Sequence, residues 1–335
     1  MKKVWLILAI FIIGMTITIW YKNKLDYNKI ILVLPSSNRV SSPYFYKKDG
    51  DFFLAQDLKL GFEKLGYNVE YRFREDYDNI NFGNAGNIIY FKGYYNFTSL
   101  FKDNNPKRKT ILYVYYIEGL NQEILKQADV IASASKKFIK EFVMDRGYIG
   151  KYIPQYTNPD RFFPYYDNNI NIDVLFVGSN HTRQGRESLN FAINSKIDVD
   201  VYGKFWEGYI PFETLKGNYI ENDELHKYYS LAKIVLNDHR KDMKYFGFIS
   251  NRIYDVTASG GFIFTDYLKE IEEVYGDSIA MYKNEKEFRE KLEYYLNNEN
   301  ERKEMSKRAQ KITLENFTNV KIAQKFIEIL KNIKK

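Results

Sequence analysis

The feature that most constrains this chain is a rhythm of short apolar runs and amphipathic segments that plays twice. "KIILVLP" (Lys29–Pro35) reads as a buried strand. "FFLAQDLKLGFEKLGYNVEYRF" (Phe52–Phe73) reads as an amphipathic helix stopped at Gly66, then a second strand. "NIIYFKG", "TILYVYY" and "DVIASAS" add strand candidates, with "NQEILKQA" and "KKFIKEFVMD" as helical segments between or after them. Such alternation builds a parallel sheet covered by helices. "IPQYTNPDRFFPYYDNNINI" (Ile153–Ile172) then breaks the pattern with prolines, aromatics and asparagines, which marks a linker. The rhythm restarts with "DVLFVGS" (Asp173–Ser179), "DVDVYG", "KIVLND", "GFIFTD" and "SIAMY". The stretch from Glu285 to Lys335 is almost all helical in pattern, with a break near Asn316.

At 335 residues the chain can bury two separate cores. The expected architecture is α/β, with two Rossmann-like, doubly wound domains facing a cleft. The first is expected over 26–160 and the second over 161–316. A C-terminal helix, 317–335, is expected to pack back on the first. Residues 1–25 read differently. "MKK" precedes an uncharged run, Val4–Trp20, and "YKNK" follows it. As a helix that run would span ~25 Å at ~1.5 Å per residue, the short end of what crosses a bilayer. A cleaved signal peptide is the rival, but no small-x-small cleavage site follows, and Trp20 and Tyr21 beside Lys22 and Lys24 resemble an interfacial anchor. The expectation is one uncleaved transmembrane helix, a single-pass membrane protein, and a catalytic part on the cytoplasmic side.

Composition excludes several chemistries. Cysteine is absent, so disulfides, thiolate zinc sites and cysteine nucleophiles are ruled out. The three histidines, His181, His226 and His239, lack zinc-ligand spacing. "DVD" (Asp198–Asp200) runs directly into a strand, so metal ligation is not expected there, and neither is any other cofactor. No Walker loop, nucleophile elbow or G-x-G-x-x-G occurs. Net charge is +7, which favours anionic partners. The basic residues are dispersed and do not interleave with aromatics, so a nucleic-acid partner is not expected.

The stretch "GFISNRIYDVTASGGFIFTD" (Gly247–Asp266) holds the densest set of candidates. Asn251 and Asp255 are four apart and share one helix face near its N-terminus. Polar groups there can meet an anionic or polyhydroxyl ligand at the carboxyl edge of a parallel sheet. The blander alternative is a capped surface helix with a glycine stop. "VGSNHTRQGR" makes a turn after a strand and opens a helix, with Gly178, Ser179 and Asn180 ahead of Arg183 and Arg186. Helix-start N–H groups plus guanidinium forks suit a diphosphate. "DVYGKFW" (Asp200–Trp206) puts Gly203 and Lys204 at another strand end, where Trp206 is a base-stacking candidate or, more simply, a core residue.

Together "FVGSNHTRQGR", "NDELHKYYSLAKIVLNDHRKDMKYFGFISNRIYDVTASGGFIFTD" and "IPQYTNPDRFFP" resemble the bacterial group 1 glycosyltransferases related to the spore-maturation protein CgeB. The family pattern Asn-Arg-x-(Phe/Tyr)-(Glu/Asp)-x-x-Ala-x-Gly is met by Asn251, Arg252, Tyr254, Asp255, Ala258 and Gly260. Upstream, Gly50, Asp51 and Ala55 match the family's Gly-Asp turn and following helix. The resemblance implies the GT-B architecture and sugar transfer from a nucleotide-sugar donor to a cell-surface glycan, lipid-linked or protein acceptor. It implies that Asp255 accepts hydrogen bonds from the ribose hydroxyls, that Arg252 orients Asp255 or reaches the phosphates, and that Arg183 and Arg186 hold the diphosphate.

Two positions depart from the family. Gly247 stands where many relatives carry a glutamate that touches the donor sugar, so that contact is expected from backbone or from Asp238 and His239, with Asn237 beside them. After "TILYVYY" the chain has Glu118 in "YIEGL" where many relatives place a histidine. A retaining reaction needs no protein base, because a donor phosphate oxygen can take the acceptor proton. An inverting one needs a base on the first domain, and Asp51 and Glu118 are the candidates. The runner-up is a non-catalytic relative that binds a nucleotide or glycan in a surface-polysaccharide assembly.

Overall fold

The computed structural model describes residues 24–42, 45–93, 105–167, 171–181 and 183–335. Two six-stranded sheets, parallel throughout, carry the chain. The first uses β1 (Asp26–Val33), β2 (Asn68–Arg72), β3 (Ala85–Lys92), β4 (Lys109–Val114), β5 (Val130–Ser133) and β6 (Gly150–Tyr152), in the order β2-β1-β3-β4-β5-β6. The second uses β7 (Ile172–Val177), β8 (Asp200–Tyr202), β9 (Leu215–Gly217), β10 (Ala232–Asn237), β11 (Ile263–Asp266) and β12 (Ala280–Tyr282), in the order β12-β11-β10-β7-β8-β9. Strand β3 is buried at every residue, as a strand covered on both faces must be. Four strands, β6, β8, β9 and β12, have only three residues; of these β6 and β9 lack an apolar run, and the sequence does not announce them.

In chain order the α-helices are α1 (Gly50–Lys64), α2 (Gln122–Leu125), α3 (Lys136–Phe138), α4 (Glu187–Asn194), α5 (Leu225–Leu231) and α6 (Lys241–Phe246). They continue with α7 (Asn251–Ala258), α8 (Lys269–Tyr275), α9 (Glu285–Asn297), α10 (Glu299–Asn316) and α11 (Asn319–Asn332). In the second sheet the strand order reverses between β10 and β7, and such a reversal opens a crevice at the carboxyl ends of the strands. Gly178 and Asp238 follow those two strand ends directly.

Helix α11 buries Ile322, Ala323, Phe326, Ile327 and Leu330, a stripe at helical spacing, in the core of the first sheet. Phe326 meets Tyr113 edge-on, with ring centroids 5.2 Å apart. Phe246 and Phe248 reach the same core from the turn after α6. The chain therefore crosses between the sheets twice, and the crossings lie side by side: Thr157 N donates to Phe317 O (2.9 Å) and Asn319 N donates to Thr157 O (2.8 Å).

One expectation is corrected. Among the described residues no helix is long and apolar enough to cross a membrane, so the single-pass membrane localisation is not supported. The run Val4–Trp20, expected to supply the span, lies outside the described residues.

Candidate active site

The floor of the second-sheet crevice is built from backbone. Gly178 N donates to Tyr202 O (2.8 Å) and Asn180 N to Lys204 O (2.9 Å), so the turn after β7 follows the extension of β8. A side chain at Gly203 would place its Cβ 2.1 Å from Gly178 O, so only glycine fits. Ser179 Oγ accepts from Lys204 N (3.0 Å), and Asn180 Oδ1 accepts from the N–H groups of Gln184 and Gly185 (3.1 Å each). Trp206 is fully buried and its indole N–H donates to Gly178 O (2.7 Å), so it is a core residue and offers no stacking face.

Beneath this turn lies a compact ionic cluster. Arg186 donates from Nε to Asp238 Oδ1 and from Nη2 to Asp238 O, at 2.5 Å each. The other Asp238 oxygen accepts from Ser188 N and Oγ, both at 2.9 Å. Arg252 donates to Asn237 Oδ1 (2.9 Å), and Asn237 donates onward to Thr265 Oγ1 (2.9 Å). The guanidiniums of Arg186 and Arg252 lie 5.7 and 5.5 Å from the Phe176 ring centroid. Burial lowers the Arg252 pKa; Tyr229 opposes this and Arg186 reinforces it. Asp238 pairs with Arg186, whereas Arg252 is bonded to neutral Asn237 and feels Asp238 only through space, which leaves positive charge under the 178–180 turn. Arg183 stands apart on the exposed lip, with its guanidinium 5.4 Å from the Phe205 ring centroid.

His239 is committed to the scaffold. Its Nδ1 lies 2.7 Å from Asp266 Oδ1 and its Nε2 accepts from Ser250 N (3.1 Å), so Nδ1 carries the proton and neither nitrogen is left for a sugar. Gly247 closes α6 at φ +71°, and a Cβ there would fall 2.1 Å from Glu270 Oε1. The left-handed backbone strains any side chain at that position, and a glutamate there would also have to displace the Glu270 carboxylate.

Between the sheets lies a cavity of about 300 Å³ lined by Asp51, Asp57, Tyr116, Asn222, Asn251 and Asp255, among others. Asn251 donates to Asp255 Oδ2 (2.8 Å). The Oδ1 atoms of both residues are buried without a well-formed hydrogen bond, and the group that approaches Asp255 there is the Thr157 hydroxyl, itself otherwise unpartnered. Burial pushes the Asp255 carboxyl up to about 8; Thr157 opposes this and Asp57 adds to it. Burial also pushes Asp57 up to about 6 against the pull of Arg161. Arg161, from the linker, joins the two halves: it donates to Gln56 and Asn222 (2.6 Å each) and pairs with Asp57 (3.1 Å). A second cavity, about 180 Å³, shares Gly50, Phe53 and Asn222 with the first and adds Lys48, Gly178, Ser179, Tyr202, Gly203 and Tyr219.

On the first domain, Asp51 lies in the opening turn of α1 and lines the larger cavity, its carboxylate pressed against Gly93. Glu118 is occupied: it accepts from Tyr116 Oη (2.6 Å) and Arg240 Nη2 (2.5 Å), and those two partners hold its carboxyl below the usual range. Of the two candidate bases, only Asp51 lines the cavity. Sequence reading missed Lys92, which is fully buried and donates to Gly93 O (2.6 Å) and Glu118 O (3.3 Å), with burial lowering it to about 8. A lysine ending the apolar run "NIIYFKG" was the available signal. Lys48, Asp57 and Arg161 were also missed, and no local pattern singles them out.

A family model described as Glycosyl transferase-like matches residues 183–328. The spore protein CgeB of Bacillus subtilis (strain 168) is 25% identical over 224 residues, covering 61% of this chain and 68% of that protein. Among solved structures, a sucrose-phosphate synthase from Thermosynechococcus elongatus superposes with a TM-score of 0.66 at 12% identity, over 90% of this chain and 98% of that one. An alpha-glucosyltransferase in complex with UDP-glucose and DNA containing an abasic site gives 0.66 at 12% identity, over 91% and 99%. HepE from Anabaena, in complex with UDP and glucose, gives 0.60 at 12%, over 91% and 100%. These structural likenesses establish the GT-B fold.

Proposed function

This chain belongs to the bacterial group 1 glycosyltransferases related to CgeB and transfers sugar from a nucleotide-sugar donor, and from that premise we propose how its cleft holds the donor. The donor is a uridine diphosphate sugar, as in the complexes of two GT-B neighbours. Asn251 and Asp255 take the ribose. Each offers a buried oxygen without a partner, a costly arrangement in the empty protein that a vicinal diol relieves with two O–H donors. That pair of orphaned acceptors is the observation that carries the reading.

The diphosphate lies over the turn at Gly178–Asn180 and the start of α4, above the excess positive charge of Arg186 and Arg252. Charge grows on the diphosphate as the glycosidic bond breaks. Cationic groups aimed there stabilise the transition state more than the ground state. Asp238 holds Arg186 in place, so little reorganisation is needed during the reaction. No metal or other cofactor takes part. Asp51 faces the acceptor, which is a cell-surface glycan, a lipid-linked sugar or a protein.

The test is calorimetric titration with UDP. The wild type is expected to bind, and Asp255→Asn, which turns a buried acceptor oxygen into an N–H donor facing the ribose, should weaken binding by ~1–3 kcal/mol, the cost of leaving a buried polar contact unmade. Equal affinity in the two proteins would remove Asp255 from the donor site.

A further inference from the structure

We infer that Lys48, carried by the first domain, reaches across the cleft to the diphosphate of a nucleotide held by the second. This rests on the donor reading above and adds a residue that the sequence did not single out. The smaller cavity, about 180 Å³, is walled mainly by the second domain: Gly178, Ser179, Tyr202, Gly203 and Tyr219 among others. Its lining contains no carboxylate, and Lys48 brings its only ammonium or guanidinium group. The Lys48 ammonium lies 5.8 Å from the Tyr219 ring centroid, so the cation already spans the gap between the domains.

The adjoining carboxylate does not cancel that charge from within the cavity. Asp49 is not among the lining residues; it caps α1, accepting from Asp51 N (3.1 Å). Gly50, next along the chain, lines both cavities, so Lys48 stands close to where the two meet. A nucleotide spanning them would put its ribose at Asn251 and Asp255 and its phosphates at Gly178 and Ser179, within the sweep of the long, exposed lysine side chain. An ammonium there neutralises charge that the buried Arg186–Asp238–Arg252 cluster meets only from the opposite wall. The nucleotide thereby ties the domains together through charge.

The experiment is titration of the full chain with UDP and with uridine, for the wild type, Lys48→Met and Lys48→Arg, at low and moderate salt. Lys48 is exposed and makes no ion pair among the described residues, so neither variant threatens folding. Loss of one charge-assisted phosphate contact should weaken UDP binding roughly tenfold to a hundredfold in Lys48→Met and leave uridine within about twofold. Lys48→Arg should keep most of the affinity, and Lys48→Met should show a weaker salt dependence. A wild type that binds UDP while Lys48→Met binds it equally well overturns the Lys48 assignment alone. A wild type that binds no UDP overturns the donor reading and the Lys48 assignment with it.

Discussion

The two walls of the cleft are built on different principles. On the second domain the cluster beneath the Gly178–Asn180 turn is bonded within itself: Arg186 with Asp238, Asp238 with Ser188, Arg252 with Asn237, Asn237 with Thr265, and His239 with Asp266 and Ser250, while Asn251 and Asp255 beside it each keep an unpartnered oxygen for the ligand. The first-domain wall is sparser and partly exposed. Its carboxylate at the rim, Glu118, pairs across the cleft with Arg240 of the second domain, and the two side chains are 59% and 28% exposed, against 2% and 21% for Asp238 and Arg186. A preorganised wall suits a ligand with fixed charge and shape, such as a nucleoside diphosphate. A looser wall suits an acceptor that arrives separately.

That contrast is open to direct attack, and the largest effect should come from the buried cluster. Asp238→Ala strips Arg186 of its carboxylate and leaves it beside the like charge of Arg252. Breaking a buried pair in this way should cost ~3–5 kcal/mol, read from urea unfolding. A loss below ~1 kcal/mol would show that the second-domain wall is as loosely held as the first.

A smaller effect should appear in the pH dependence of stability. Asp57 and Asp255 are raised in the fold to about 6 and about 8. The folded chain therefore keeps protons that the unfolded chain has released, and stability should fall as pH climbs from the ordinary aspartate value of 3.8 towards about 8. Between pH ~6 and ~8 the decline belongs mainly to Asp255, so Asp255→Asn should flatten it. The variant should be the more stable protein at pH ~8 by at least ~1 kcal/mol, roughly the worth of one pKa unit. Parallel curves for the two proteins in that window would mean that Asp255 is ionised in the fold.

The smallest effect belongs to the rim. Glu118→Ala removes an exposed ion pair and should change stability by only ~0–1 kcal/mol in a thermal melt. A loss comparable to that of Asp238→Ala would erase the distinction between the walls.

Much of the second-domain wall was legible because its parts are local. Asn251, Arg252 and Asp255 lie within five positions on one helix, and "VGSNHTRQGR" follows a strand directly. Helical and strand periodicity places such residues without knowledge of the rest of the fold. Their bonding was less legible. Arg183 and Arg186 looked equivalent in the sequence, yet only Arg186 meets Asp238, 52 positions away. His239 looked available for the donor, but its partner Asp266 comes from the next strand of the sheet. The departure at Gly247 could be seen in the sequence, though its cause, the turn after α6 and the nearby Glu270 carboxylate, could not.

The sequence by itself determined the α/β class and the helix that carries Asn251 and Asp255. These follow from periodicity and turn chemistry over a few residues. Tertiary structure alone decided which side chains remain unpaired, because pairing joins residues distant in the chain: Asp57 with Arg161, Arg240 with Glu118, Lys92 with the Glu118 carbonyl. The packing of α11 on the first domain was expected, but only the fold names its partners there, because an apolar stripe requires burial without specifying the side chains that bury it.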